Sequence, residues 1–172
     1  MANRKHIQPL IAAIESMSME PWNRWRIENP SIRPDLSGVE LPEANLSFAN
    51  LSYADISHAD LSRANLHHAN LRHADLSSTN LRKAELTEAD LSFSILQGTD
   101  LRGAILGNAK LRGTHLIGAL IDQNATEGQE KRVRGGVSKL EKLALRLFAR
   151  KKRKDHRQVN GDTKTHRSDK HT

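Results

Sequence analysis

The sequence predicts an all-β repeat fold, a solenoid wound about a single axis, and three observations predict it. A large aliphatic residue recurs at every fifth position, from Leu36, Leu41, Leu46, Leu51 and Ile56 onward to Leu116 and Ile121; counting in fives gives 18 centres with no break in register. Two residues before nearly every centre stands a small residue, usually Ala, as at Ala44, Ala49, Ala54, Ala59, Ala64, Ala69 and Ala74. One residue before it is usually Asp, Asn or Glu, while the two positions after it vary. With the centre called i, a helix turning about 100° per residue would scatter these leucines over every face. A straight strand would send alternate centres to opposite sides, because the period is odd. Positions i−2 and i are two apart, however, and share one side of a short extended segment. The chain must therefore run extended for a few residues, turn and repeat, with both positions facing the axis. A fixed short period of this kind takes precedence over any helix or strand assignment.

The register A-(D/N)-L-x-x, as in Ala49-Asn50-Leu51-Ser52-Tyr53-Ala54-Asp55-Ile56, resembles the pentapeptide-repeat proteins over residues 35–126, about half of the chain. That resemblance implies a right-handed quadrilateral β-helix with one repeat per side and four repeats per coil. It implies about four and a half coils and, at ~4.8 Å per coil, a column about 22 Å tall. A small residue at i−2 leaves room for the leucine ladder, and each buried Leu is worth roughly 1.5–3 kcal/mol gross, mostly offset by chain entropy. Gly occupies i+2 at Gly38, Gly98, Gly103, Gly113 and Gly118, where type II turns need it, whereas His58, Arg63, His68 and His73 fill that position earlier. Type II corners are accordingly expected to be commoner late in the column than early.

Residues 1–34 are expected to form a helical cap on the open first coil, since an exposed coil edge offers unpaired backbone groups to any neighbour. Residues 1–6 read as frayed. Ile7, Leu10, Ile11 and Ile14 then follow helical spacing, with Pro9 acceptable in a first turn. A second short helix starts near Pro21, carries Trp22 and Trp25, and is stopped by Pro30 and Pro34. The two tryptophans are read as capping residues; a ligand-stacking pair is the other reading. Trp22-Asn23-Arg24-Trp25-Arg26 and Pro34-Asp35-Leu36-Ser37-Gly38 resemble the lead-in of many bacterial, especially cyanobacterial, pentapeptide proteins, which favours the cap.

Along residues 35–126, residues twenty apart stack on one side, and i−1, i+1 and i+2 face solvent. One i+2 column then reads Tyr53, His73, Phe93, Gly113, and its neighbour Phe48, His68, Glu88, Asn108. All three aromatics of the repeat thus fall at outward positions beside histidines. Exposed aromatics on a rigid surface are typical interface anchors. Phe48, Tyr53, His68, His73 and Phe93 form the candidate protein-binding patch, set against scattered surface aromatics with no partner. Another side carries Arg63, Arg82, Lys83 and Arg102 with Asp60 and Asp100, a salt-linked solvated face or an anion-binding one. His58, His67, His68 and His73 divide among three sides without a completing acid or Cys, so no metal site is assigned. No nucleophile–base set or phosphate loop is present, and a filled convex column offers no pocket, so neither catalytic residues nor a cofactor are assigned.

The polar rule at i−1 weakens late, at Ile95, Ile105 and Leu120, with Ile117 at i+1, and these apolar residues call for a cover. After a linker over 127–137, Ser138-Lys139-Leu140-Glu141 has capping-box form. Leu140, Leu143, Ala144, Leu147 and Phe148 follow one helical face, giving an amphipathic helix over 138–152 that caps the last coil, docks on its side or pairs two copies into a homodimer. Residues 153–172 read as a basic disordered tail.

Charge is unevenly placed. Residues 35–126 carry 7 basic and 11 acidic groups, residues 127–172 carry 15 and 6, and the formal net charge of the chain is +7. The run Arg150-Lys151-Lys152-Arg153-Lys154 is a candidate anion-binding segment for nucleic acid or an anionic membrane, or a solubilising tail. The absence of Cys and of any long apolar run points to a cytoplasmic protein. Aromatics at 3% are too few for an ordinary core of this size, but a Leu/Ala solenoid needs none. The expected function is that of a non-catalytic scaffold presenting surface ladders to a protein partner. The alternative is an adaptor whose tail binds nucleic acid or membrane. Some pentapeptide proteins mimic DNA and bind topoisomerase; likeness to those would imply a longer, more acidic column, so this stands as a distant alternative.

Overall fold

The computed structural model describes residues 2–122, comprising two helices and the repeat. The helix expected over 138–152, the linker before it and the basic tail lie outside the described residues.

Each residue at i−1 forms a parallel bridge with the residue twenty further on, from Asp35↔Asp55 through Asn50↔Asn70 and Asp75↔Ile95 to Asp100↔Leu120. One circuit of the axis therefore takes four repeats. The bridge is two-way: the Leu36 N–H donates to the Asp55 carbonyl at 2.7 Å, and the Asp55 N–H donates back to Pro34 at 2.8 Å. Each side contributes one bridge residue, and no longer strand forms among the described residues. Corners close by an i+3 to i hydrogen bond, as from the Val39 N–H to the Leu36 carbonyl at 3.3 Å. The i+2 N–H meanwhile donates to the next coil, as from Gly38 to Ser57 at 2.8 Å.

The axis holds the core. Leu46, Leu51, Ile56, Leu61 and their successors to Leu106 are buried, with the i−2 alanines between them. Where Thr replaces Ala the hydroxyl finds a partner: Thr79 Oγ1 donates to the Ile56 carbonyl at 2.7 Å and Thr99 Oγ1 to Leu76 at 2.6 Å. Leu41, Leu111 and Ile121, toward the ends of the column, are only half-buried. The preference for Asp or Asn at i−1 has a local cause. Its side-chain oxygen accepts the i+1 N–H, and often a Ser hydroxyl as well, as between Asp55 and Ser57 at 3.1 and 2.7 Å.

The corners differ from expectation. Every i+2 residue from Gly38 to Gly118 has positive φ, between 55° and 74°, including Phe48, Tyr53, His58, Arg63, His68, His73, Ser78, Lys83, Glu88, Phe93 and Asn108. Corners with this turn sense are as frequent early as late. A positive φ at a bulky residue costs on the order of 1–3 kcal/mol. It persists here because the hydrogen bonds of the stacked coil set the turn regardless of the side chain at i+2.

Helix α1 spans Arg4–Glu15 and α2 spans Glu20–Glu28. The start of α1 corrects the expectation of a frayed segment before Ile7. The Asn3 side chain accepts the Lys5 N–H at 2.9 Å as an N-cap, so Arg4, Lys5 and His6 are helical and Pro9 lies inside the helix. Its buried face is centred on Leu10 and Ala13, while Ile11 is exposed.

Side chains of this helical pair take the place of a preceding coil for several backbone groups of the first. The Asp35 N–H donates to His6 Nδ1 at 3.1 Å, and the Asp35 carbonyl accepts the Asn3 N–H at 3.1 Å. Trp22 Nε1 donates to the Asn50 carbonyl at 2.9 Å, and the Asn50 N–H donates to Asn23 Oδ1 at 2.8 Å. Asn23 Nδ2 reaches the Phe48 carbonyl at 3.1 Å, and the Arg26 guanidinium the Ser52 and Ile32 carbonyls at 3.0 and 2.8 Å. Trp22 is fully buried and stacks on half-buried Trp25, with ring centroids 5.3 Å apart. Burial pushes the Arg26 guanidinium down from its ordinary value, and its Nε has no partner among the described residues.

Candidate interaction surface

Because i+2 residues share one backbone conformation and repeat every circuit, their side chains stack along the column. Tyr53 and His73 lie parallel with centroids 4.8 Å apart, and His73 and Phe93 follow at 5.1 Å. In the adjacent column Phe48 stacks on His68 at 5.0 Å. His67, one position earlier at the same corner, meets His68 edge-on at 4.2 Å. The structure thus brings together all five residues of the candidate patch on two neighbouring corners. Phe48, Tyr53 and Phe93 keep 61%, 56% and 39% of their surface exposed, far more than a core aromatic would.

Charged groups frame the rings. The guanidinium carbons of Arg72 and Arg112 lie 5.8 and 5.7 Å from the Phe93 centroid, within cation–π range. Asp90 lies between the two columns and faces Arg72 at 3.4 Å and Lys110 at 3.7 Å. Partial burial opposes ionisation of its carboxyl. The Ser92 hydroxyl and N–H, together with Arg72, outweigh that and hold it below the usual range. His68 Nδ1 approaches Glu88 at 3.5 Å. At the foot of the Tyr53 column the Phe93 ring lies over Gly113, where a Cβ would come within 2.6 Å of Phe93 Cδ1.

The basic side arranges its charges differently from the simple pairing expected. Asp100 takes Arg82 at 3.3 Å and Arg102 Nε at 2.9 Å, and those hydrogen bonds, the one from Arg102 foremost, pull its pKa down to about 2. Arg63 turns to Glu43 at 2.8 Å. Asp60 instead accepts from the Ser62 N–H at 2.8 Å and Asn80 Nδ2 at 3.0 Å. Among the described residues no group of three metal-ligating side chains converges. Arg150, Lys151, Lys152, Arg153 and Lys154, and the helix residues Leu140, Leu143, Leu147 and Phe148, lie outside the described residues.

Sequence reasoning missed His6, Asn23 and Arg26. Apart from the Ile32 carbonyl, their partners are backbone groups of the first coil, and only the demand that every coil edge be satisfied could have pointed to them.

The twenty-residue circuit with an aliphatic ladder coincides with a sequence match: the profile of the pentapeptide repeats fits residues 35–67, 59–92 and 84–121, with 8 copies. The chain belongs to the pentapeptide repeat family. Its solenoid is accordingly of the family's right-handed β-helical type. Among solved pentapeptide-repeat structures it is similar to HetL from the cyanobacterium Nostoc sp. strain PCC 7120, a protein involved in heterocyst differentiation regulation. Identity there is 38% and the TM-score 0.52, over 54% of this chain and 43% of HetL. It is also similar to Rfr23 from the cyanobacterium Cyanothece 51142, at 38% identity and a TM-score of 0.53, over 55% of this chain and 65% of Rfr23. The chain therefore spans less than two thirds of either neighbour. No curated protein matches it in sequence. Among the described residues no helix is long and apolar enough to cross a membrane.

Proposed function

We propose that this pentapeptide-repeat protein is a non-catalytic interaction protein, a rigid column of about four and a half coils that presents its aromatic–histidine face to a protein partner. One observation carries the reading: the three aromatics of the repeat stand in two adjacent, exposed stacks with His68 and His73. The backbone N–H of each aromatic donates to the next coil, to the carbonyls of His67, Arg72 and Arg112, so little backbone ordering entropy remains to oppose binding, a property of good interface anchors. The helical pair α1–α2, with Trp22 buried and Trp25 stacked on it, serves as the end cap that keeps the first coil from pairing with other chains. The regulatory involvement of HetL supports a regulatory rather than catalytic role, and the cytoplasm is the compartment we propose.

Affinity capture from the source cell tests this, with the full chain compared with its Phe48→Ser/Tyr53→Ser/Phe93→Ser variant. The partner should be lost while the circular dichroism spectrum is retained. Equal capture by both proteins would sink the assignment.

A second reading rests on the basic run Arg150–Lys154 and the excess of 15 basic over 6 acidic residues in 127–172. There the column binds protein while the tail engages nucleic acid or an anionic membrane. Retention of the full chain on heparin or anionic vesicles at physiological salt tests it.

A further inference from the structure

The face that carries the two columns also differs in charge from the rest of the solenoid. It is made by residues 47–53, 67–73, 87–93 and 107–113, which the twenty-residue circuit stacks one above another. Within it Arg72, Lys110 and Arg112 oppose Glu88 and Asp90, and three histidines are added. The remainder of residues 35–122 carries four basic groups against nine acidic ones and no aromatic residue. An aromatic, basic strip is thus embedded in an acidic column.

We propose that this strip is a docking site for an acidic segment of a protein partner, an inference that rests on the interaction role proposed above. Two further observations select the partner's chemistry. The rings lie face to face at 4.8 to 5.1 Å with their planes within 18° of parallel, so they turn edges rather than faces to solvent. A ring edge is the positive end of the aromatic quadrupole and suits a carboxylate. Nucleobases need free faces to stack on, and within these columns the facing ring surfaces are already taken, which disfavours nucleic acid as the occupant. The guanidinium groups of Arg72 and Arg112 flank Phe93 from two coils, placing cationic donors beside the apolar surface. An acidic segment carrying apolar residues would meet both, and the acidic remainder of the column would repel it from the other sides.

The test uses the uniformly 15N-labelled full chain, titrated with an alternating Asp–Leu peptide, its Asn–Leu analogue and an oligothymidylate of similar length. Amide shifts with the Asp–Leu peptide should concentrate in 47–53, 67–73, 87–93 and 107–113. Affinity read from those amides should be about fivefold weaker for the Asn–Leu peptide and for the Arg72→Gln/Arg112→Gln variant, as expected for two exposed charges. Three results would overturn the proposal: shifts confined to residues 127–172, equal affinity for the two peptides, or stronger engagement of the strip by oligothymidylate. The Phe48→Ser/Tyr53→Ser/Phe93→Ser variant separates this proposal from the broader reading. If it loses the cellular partner while the strip of the unaltered chain takes both peptides equally, the interaction surface stands and its acidic specificity falls.

Discussion

Replacing Gly113 by Ala separates two demands that one glycine meets. Gly113 has φ of +68°, and Gly38, at the equivalent corner position, has +66°. A Cβ at Gly38 would meet nothing within 4 Å, whereas at Gly113 it would come within 2.6 and 2.9 Å of Phe93 Cδ1 and Cε1. Gly38→Ala therefore isolates the backbone cost, about 1 kcal/mol. Gly113→Ala adds a clash that Phe93 can relieve only by swinging away. Leaving would forfeit its stack on His73, worth ~0.5–1.5 kcal/mol, and weak cation–π contacts with Arg72 and Arg112. That caps the additional cost at about 2 kcal/mol and predicts a total near ~3 kcal/mol. In a Phe93→Ala background the Gly113→Ala cost should fall back to about 1 kcal/mol, giving a coupling energy of ~2 kcal/mol in the double-mutant cycle. Urea unfolding followed by circular dichroism measures it, with constant m-values checking that one transition is compared throughout. A coupling below about 0.5 kcal/mol, or equal costs at Gly38 and Gly113, would refute the assignment of Gly113 as the seat of the Phe93 ring.

Three other changes probe the cap and the charged side. Trp22→Ala removes a fully buried indole and its hydrogen bond to the Asn50 carbonyl, and should cost about 3–5 kcal/mol in urea unfolding. Arg26→Ala withdraws the donor from the Ser52 and Ile32 carbonyls and should cost about 1–3 kcal/mol, with faster amide exchange in the first coil. Asp100→Asn should cost about 1 kcal/mol at neutral pH, a figure discounted because Arg82 and Arg102 are nearly half exposed. The folded pKa of Asp100, about 2, lies below its ordinary 3.8, so its stabilisation is full above pH 3.8 and is lost as pH falls through 2. The difference between the unaltered chain and Asp100→Asn should therefore close over that window in acid unfolding.

The period of five made the core legible, because a Leu at i and an Ala at i−2 have one environment that suits them both. Counting in twenties then placed Tyr53, His73 and Phe93 in one column, since register in a solenoid is set by arithmetic rather than by side-chain preference. Corner geometry was not legible in the same way. Residue type at i+2 ordinarily reports turn type, but here the stacked coils impose positive φ on Phe48 and Arg63 as firmly as on Gly38. The late glycines therefore looked like turn signals, although at Gly113 the stronger requirement is space for a ring from the coil before. The cap was legible in outline through Trp22 and Trp25. Its polar contacts through His6, Asn23 and Arg26 were not, because they answer to backbone N–H and carbonyl groups twenty-five or more residues away in the chain, the Arg26 bond to Ile32 excepted.

A backbone that ignores the identity of i+2 has a consequence for function. In an ordinary protein a left-handed corner restricts its residue largely to Gly, Asn or Asp. Here seventeen corners accept aromatic, basic, acidic and imidazole side chains alike. The inner positions i and i−2 are committed to packing, so substitutions at i+2 change the surface without disturbing the ladder. Each corner becomes a column of side chains spaced by one coil, free of the ladder though not of their neighbours in the column, as Phe93 over Gly113 shows, and like residues placed twenty apart can stack. The clustering of all three repeat aromatics with His67, His68 and His73 on two adjacent corners is therefore not required by the fold. Exposed aromatic surface without a partner brings no folding advantage comparable to burial. A feature that the scaffold does not need, and that stays exposed at Phe48 and Tyr53, is what the proposed interaction role calls for.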